Sequence, residues 1–210
     1  MLCAAAYIAL LSVISCSSTY YTAMEKVGIH KRDILVDRVE QASDAQTEAQ
    51  EQFTSALEQF YSVVEMEETD LKVAYEGMRD AYEDSKHRAE LVSDRIDSVE
   101  SVAQALFSEW EDELSLYQSS ELRRSSQQTL DATRTKYEQM LATMRDVETK
   151  MEPVLLTFQD NVLYMKHNLN AQAIGALRAE FTSLQGKIDT LIEKMNSSIQ
   201  ASNAFIAELK

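Results

Sequence analysis

The chain contains very few of the residues that form turns. Among its 210 residues there are four glycines and one proline, whereas an average protein of this length would have roughly 25 of the two together. Glycine supplies the positive φ angles of many tight turns, and proline interrupts helices. A chain with so few of both can change direction only a few times, which excludes folds assembled from many short strands.

Cysteine is also scarce, and the position of one of the two is informative. Cys16 follows the only strongly apolar stretch near the start, residues 1–14. This stretch is too short to span a bilayer, which needs roughly 20 apolar residues, but it has the length of a signal-peptide core. The sequence "VISC" at 13–16 resembles a bacterial lipobox, in which the cysteine sulfur accepts a diacylglycerol group before cleavage on its N-terminal side.

We therefore predict that Cys16 becomes the lipidated first residue of the mature protein. Residues 1–15 would be the signal peptide, 16–32 a lipidated linker with a short basic segment, and 33–210 a helical rod domain. Cys3 would be lost with the signal peptide, so no disulfide could form within the mature chain. The alternative is an ordinary apolar N-terminal helix with an incidental cysteine.

Positive charge is in short supply as well. The chain has 20 lysines and arginines against 35 aspartates and glutamates, for a net charge of −15. The phosphates of DNA and RNA repel such a protein, so nucleic acid is not an expected partner. The sequence leaves the oligomeric state open.

Apolar residues recur at alternating steps of three and four, which is the spacing that lines one face of a helix. Four such runs occur, at 35–63, 71–110, 130–165 and 174–205. No stretch has the alternation of a strand. The sequence therefore predicts an all-α fold, an elongated antiparallel bundle or coiled-coil rod of about four long helices.

The breaks between these runs predict where the helices begin. Thr69, Ser119 or Ser120, and Asn170 are candidate N-terminal caps, because their side-chain oxygens can accept a free backbone N–H. Pro153 lies inside the third run and predicts a kink there or a break in the helix. The second and third helices would each have close to 48 residues, or about 70 Å at 1.5 Å per residue.

Short connections make sequence neighbours antiparallel, so distant segments are expected to meet at the two ends of the rod. One end would hold the N-terminal linker, the 117–121 turn and the C-terminus. Most of the distinctive basic residues fall at this end, where they are candidate contacts for anionic lipid headgroups. The alternative for this cluster is ordinary ion pairing with nearby Asp and Glu. Its members are Lys26, His30, Lys31, Arg32, Arg123 and Arg124.

The other end of the rod would hold the turns near 66–69 and 167–171. Its distinctive polar residues are candidate contacts for a protein partner in the cell envelope. The alternative is that they cap helices and form one ion pair with the acidic turn at 65–70. These residues are Lys166, His167, Asn168 and Asn170.

No grouping that would carry catalysis is recognisable. "FTSLQGK" at 181–187 ends in Gly-Lys, but Phe181 stands where a phosphate-binding loop needs its first glycine. A di-metal bundle needs Glu-x-x-His pairs, and none of His30, His87 and His167 has a glutamate three residues earlier. We therefore expect no enzymatic activity, no metal and no cofactor.

Several segments together resemble an uncharacterised family of Gram-negative bacterial proteins that is known only as a domain of unknown function. The resemblance covers nearly all of the predicted mature chain and is most specific in "MEKVGIHKRDILVDRV" at 24–39 and "KHNLNA" at 166–171. It implies a helical envelope lipoprotein, and it implies no activity or catalytic residue. Ser17, in place of aspartate after the lipidated cysteine, would imply the outer membrane by the usual sorting rule.

Two functions remain open at this stage. The first is a structural role, in which a lipid-tethered periplasmic rod acts as a spacer, scaffold or adaptor in the bacterial envelope. The alternative is a ligand-binding or stress-response bundle that holds a lipid or a metal between its helices. A ligand-binding bundle needs a widened apolar core with convergent polar groups, whereas a rod has a thin continuous core.

Overall fold

The computed structural model describes Gly28 and residues 30–65, 71–168 and 170–210. These residues form four helices and no strand: α1 Lys31–Glu65, α2 Leu71–Leu114, α3 Ser120–His167 and α4 Ala171–Leu209. The predicted all-α fold of about four long helices is confirmed. The predicted signal peptide, Cys16, Lys26 and the Thr69 cap lie outside the described residues.

The helices pack as a ring in which each contacts two neighbours. α1 lies against α2 and α4, and α3 lies against the same two helices. Lys31 at the start of α1 forms an ion pair with Glu109 near the end of α2, with Nζ and Oε1 2.9 Å apart. Glu40 of α1 forms a second ion pair with Lys210 at the C-terminus, with Nζ and Oε1 also 2.9 Å apart. The result is an antiparallel four-helix bundle in up-down-up-down order, whose longest helix, at 48 residues, spans about 70 Å.

These contacts define two ends of the bundle, here called proximal and distal. The proximal end holds the start of α1, the 115–119 turn and the C-terminus. The distal end holds the end of α1, the end of α3 and the start of α4, where Arg178 donates to the backbone oxygen of Val64. The described helix ends therefore group as predicted, whereas most of the N-terminal linker and the 66–69 turn lie outside the described residues.

The core is one continuous seam along the axis, as the spacing of three and four predicts. Phe60, Tyr82, Phe158 and Phe181 come from four different helices and form an aromatic cluster with ring centroids 5.8 to 6.3 Å apart near the distal end. Fully burying an apolar side chain of this size stabilises a fold by about 1.5–3 kcal/mol. The largest fully buried side chains are Phe53, Phe60, Phe158, Leu35, Met78, Ile96, Leu130, Met140, Met144, Met165, Leu177 and Leu184.

The predicted helix signals can be compared with the structure at two positions. Ser119 is the N-cap of α3, and its Oγ accepts from the backbone N–H of Leu122 at 3.3 Å. Pro153 lies inside α3, which continues through it from Ser120 to His167, so the helix is not split there. The Pro153 ring is exposed to solvent, which is why no neighbouring helix has to move aside for it.

Three core side chains, those of Gln46, Tyr137 and Ser198, have buried polar atoms without a hydrogen-bond partner among the described residues. Gln46 of α1 is fully buried, and neither its Nε2 nor its Oε1 has a hydrogen-bond partner among the described residues. Ser198 of α4 is also fully buried, and its Oγ is likewise unpartnered among them. Gln50 of α1 donates to Asn196 of α4, which shows that Gln46 and Ser198 lie at a similar level of the bundle.

We expect replacement of Gln46 by Met to raise the free energy of unfolding by about 1–3 kcal/mol, because a buried amide without partners costs about that much. Urea unfolding followed by circular dichroism measures the change. Gln46→Glu is the matched control and should lower stability, because it buries a charge at the same place. A Gln46→Met protein that is less stable than the wild type would contradict the assignment of an unsatisfied amide.

The elongated shape predicts a large radius of gyration. A cylinder about 70 Å long and roughly 10 Å in radius has a radius of gyration of about 21 Å, whereas a compact 210-residue chain has roughly 17 Å. Small-angle X-ray scattering should therefore give about 21 Å, and a value near 17 Å would be incompatible with the bundle.

Candidate functional site

The proximal end carries most of the basic residues that the sequence singled out. His30, Arg32, Arg123 and Arg124 are all exposed. Ser119 positions the two arginines, because this cap starts α3 and places them in its first turn and a half. Arg123 and Arg124 line a shallow hollow of about 410 Å³ beside the turn.

Lys31 differs from the other predicted headgroup contacts. Its side chain is only 9% exposed, and its Nζ forms an ion pair with Glu109, 78 residues away in the chain. It therefore joins α1 to α2 and is not available to a membrane surface. For Lys31, the structure therefore supports the alternative that the sequence left open, which is ordinary ion pairing with an acidic side chain.

Three arginines at this end, Arg32, Arg123 and Arg124, have no acidic partner among the described residues. Most lysines and arginines in the described ranges form an ion pair or donate a hydrogen bond to another residue. Arg32, Arg123 and Arg124 form no ion pair within those ranges. Exposed Asp112, Glu113 and Glu121 lie close to them in sequence, so this end presents charges of both signs.

The structure adds three apolar residues to the proximal end that the sequence did not single out. Leu116, Tyr117 and Leu122 are 71%, 40% and 60% exposed. All three lie between the second and third apolar runs, so the spacing of three and four assigns them to neither run and does not place them in the core. Their position in that gap, next to two arginines, was the signal that could have identified them.

The distal end places its predicted partner residues close together, but one of them has a structural role. Lys166 and His167 are exposed in the last turn of α3. Asn168 is the C-cap of α3, where its backbone N–H donates to the oxygen of Met165 at 3.1 Å. Its side-chain Nδ2 also donates to the oxygen of Tyr164 at 2.8 Å. Asn170 immediately precedes α4, and its N–H donates to the Asn168 oxygen.

The titratable groups do not assemble into a recognisable catalytic or metal-binding arrangement in the part of the chain that the structure describes. No group of three or more His, Cys, Asp and Glu that could hold a metal ion occurs there. His30, His87 and His167 are all exposed. Burial raises the pKa of the Tyr137 phenol, and the Glu100 carboxylate raises it further, so this side chain stays protonated at neutral pH.

None of the four described helices contains a segment that is long and apolar enough to span a bilayer. Residues 20–209 match a family described as a protein of unknown function, DUF2959. No curated protein and no solved structure matches the chain. The match spans all four helices and both ends of the bundle, and it agrees with the resemblance carried by residues 24–39 and 166–171. Because the match extends over residues 20–209, this chain belongs to the DUF2959 family.

Proposed function

We propose that this protein is a lipid-anchored periplasmic rod that acts as a spacer, scaffold or adaptor in the envelope of a Gram-negative bacterium. In this proposal the lipid is on Cys16, and the proximal end lies against the membrane. The distal end then stands about 70 Å away, which is the length of α3. Ser17 after the cysteine favours the outer membrane.

The observation that carries the proposal is the composition of the proximal end. Exposed Leu116, Tyr117 and Leu122 lie beside exposed Arg123 and Arg124, which form no ion pair in the described ranges. Apolar and aromatic side chains enter the headgroup region of a bilayer, and arginines bind lipid phosphates there. The acidic residues at the same turn limit the net attraction, so the apolar side chains must supply much of the binding.

The start of α1 lies at the proximal end, so an anchor that precedes α1 in sequence would also be attached there. α1 begins at Lys31, at the proximal end, so a lipid on Cys16 is separated from the bundle by 14 residues. Fully extended, these residues span at most about 50 Å. The lipid and the 115–119 turn can therefore reach the same bilayer surface.

The filled core supports a rod over a ligand-binding bundle. Large side chains with less than 2% exposure occur in all four helices. The hollows found among the described residues are open grooves at the surface, between neighbouring helices. A lipid or metal held between the helices would need a wider interior than these side chains leave.

Lipidation is tested with Cys16→Ser and, as the matched control, Cys3→Ser. We expect the wild type and Cys3→Ser to incorporate a labelled fatty acid and to pellet with membranes, because the three acyl chains of a mature bacterial lipoprotein anchor firmly. Cys16→Ser should incorporate no label and should be released in large part from the membrane fraction. Equal labelling of the two variants would show that Cys16 is not the modified residue.

Membrane contact by the proximal end is tested with the full chain carrying Cys16→Ser, so that no lipid masks the effect. We expect Arg123→Ala with Arg124→Ala to bind vesicles of phosphatidylethanolamine and phosphatidylglycerol about thirtyfold more weakly, because two cations near the surface contribute about 1 kcal/mol each, or about 2 kcal/mol together. The loss should be larger at low salt. Co-sedimentation with the vesicles measures it.

The control for this experiment removes the same charge elsewhere. Lys150 and Lys166 form no ion pair in the described ranges and lie away from the proximal end. Lys150→Ala with Lys166→Ala should leave vesicle binding nearly unchanged. If both double variants lose binding equally, the membrane responds to net charge, and the proposed orientation of the rod is wrong.

A further inference from the structure

A groove runs along the outside of the bundle between α2 and α3. It has a volume of about 440 Å³ and extends from Tyr82 to Asp94 on α2 and from Glu148 to Gln159 on α3. Twelve residues of helix rise about 18 Å, so the groove is about three helical turns long. It lies in the middle of the rod and the distal half, away from the proximal end.

The floor of the groove is apolar. Ala89 and Met151 are buried beneath it, and Leu155 is partly buried. Leu156 stands at its edge and is 53% exposed. Leu163, two helical turns further along α3, is 47% exposed and continues the apolar line toward the distal end.

Acidic side chains flank this floor on both helices. Glu90 and Asp94 lie four residues apart on α2, and Glu148 and Glu152 lie four residues apart on α3. Like charges at this spacing repel and destabilise a helix by a few tenths of a kcal/mol per pair. Each of the two helices therefore carries a pair of carboxylates along the lining of this apolar groove.

Local cations neutralise only part of this charge. Lys86 lies 3.9 Å from Glu90, and Arg145 lies 2.8 Å from Glu148. Arg145 also binds two further carboxylates of α2, Asp97 and Glu100. Asp94 and Glu152 have no ion pair in the described ranges.

We propose that the α2–α3 groove binds a basic amphipathic helix of a partner protein. A helix can lie in the groove parallel to α2 and α3, place its apolar side chains on Met151, Leu155 and Leu156, and pair lysines or arginines with the two rows of carboxylates. The small side chains of Ala89 and Ser93 leave room on the α2 wall for a close approach.

The acidic charge around the groove favours a basic helix over the two other occupants that an apolar groove could bind, a second copy of the chain and a membrane surface. A second copy of the chain carries a net charge of −15 and would be repelled. An anionic membrane would be repelled by the same carboxylates. The proposal goes beyond the lipid-anchored rod and does not depend on it, because none of the groove residues takes part in anchoring.

The test uses the full chain and a designed probe. The probe is a fluorescein-labelled leucine–lysine peptide of about 14 residues, with leucines along one helical face, and its length as a helix is roughly 20 Å. A peptide of the same composition, scrambled so that the leucines share no face, is the reference. Fluorescence anisotropy at about 0.15 M salt, where exposed charges are screened beyond about 8 Å, measures binding.

Two matched double variants separate the groove from the general charge of the protein. Asp94→Lys with Glu152→Lys changes the groove, and Asp44→Lys with Glu51→Lys makes the same charge change at exposed positions of α1. We expect the groove variant to bind the probe at least about tenfold more weakly and the α1 variant to bind within about twofold of the wild type.

A third variant tests the apolar contact independently of charge. Leu156→Asn should weaken binding about threefold to tenfold, because it removes an apolar side chain that the probe would cover. Because Leu156 is half exposed in the free protein, its replacement should leave the bundle folded, as circular dichroism can verify. Binding that is lost equally in both double variants, equal binding of the scrambled peptide, or no effect of Leu156→Asn would each overturn the proposal.

Discussion

The bundle depends on the burial of one apolar stripe on each of four long helices. Each stripe is shared with two neighbours, so no helix can keep its apolar face out of water alone. This constraint explains the even spacing of core residues over almost the whole length of each helix. It also explains why the chain tolerates a net charge of −15, because the charged residues occupy the faces that the core does not use.

The elements that follow from local rules could be predicted from the sequence, and those that depend on distant neighbours could not. Four runs with a spacing of three and four predicted the number of helices, and the short connections predicted their antiparallel order. Ser119 was one of two candidate caps, beside Ser120, because capping involves only the next three residues. The pairing of Lys31 with Glu109 joins residues 78 apart, so the sequence left open whether Lys31 is a headgroup contact or a member of an ordinary ion pair. Likewise, a Cβ atom added at Gly77 would stand 2.6 Å from Nε2 of Gln59, and only the close packing of α1 against α2 makes this visible.

The candidate sites could likewise be predicted only in part from the sequence. The topology brought those predicted residues that the structure describes to the two ends, because antiparallel order decides which segments meet. Which side chains remain available there depends on hydrogen bonds that a sequence does not display. Asn168 uses its backbone and its side-chain amide to close α3, whereas Lys166 and His167 stay exposed. The exposed leucines of the 115–122 segment were missed because they lie outside every periodic run.

The contact between the first and last helices has a consequence for the order of folding. Neighbouring helices can pair as two local hairpins, α1 with α2 and α3 with α4, but the α1–α4 seam joins residues as far apart as Glu40 and Lys210, separated by 170 positions. Closing so long a loop has a larger entropic cost than forming either hairpin. The seam that contains Gln46 and Ser198 is therefore expected to close last, after both hairpins exist. Until then the two hairpins expose their apolar stripes to solvent. A chain without its final helical turns would lack the Lys210–Glu40 ion pair, which joins α4 to α1 at the proximal end.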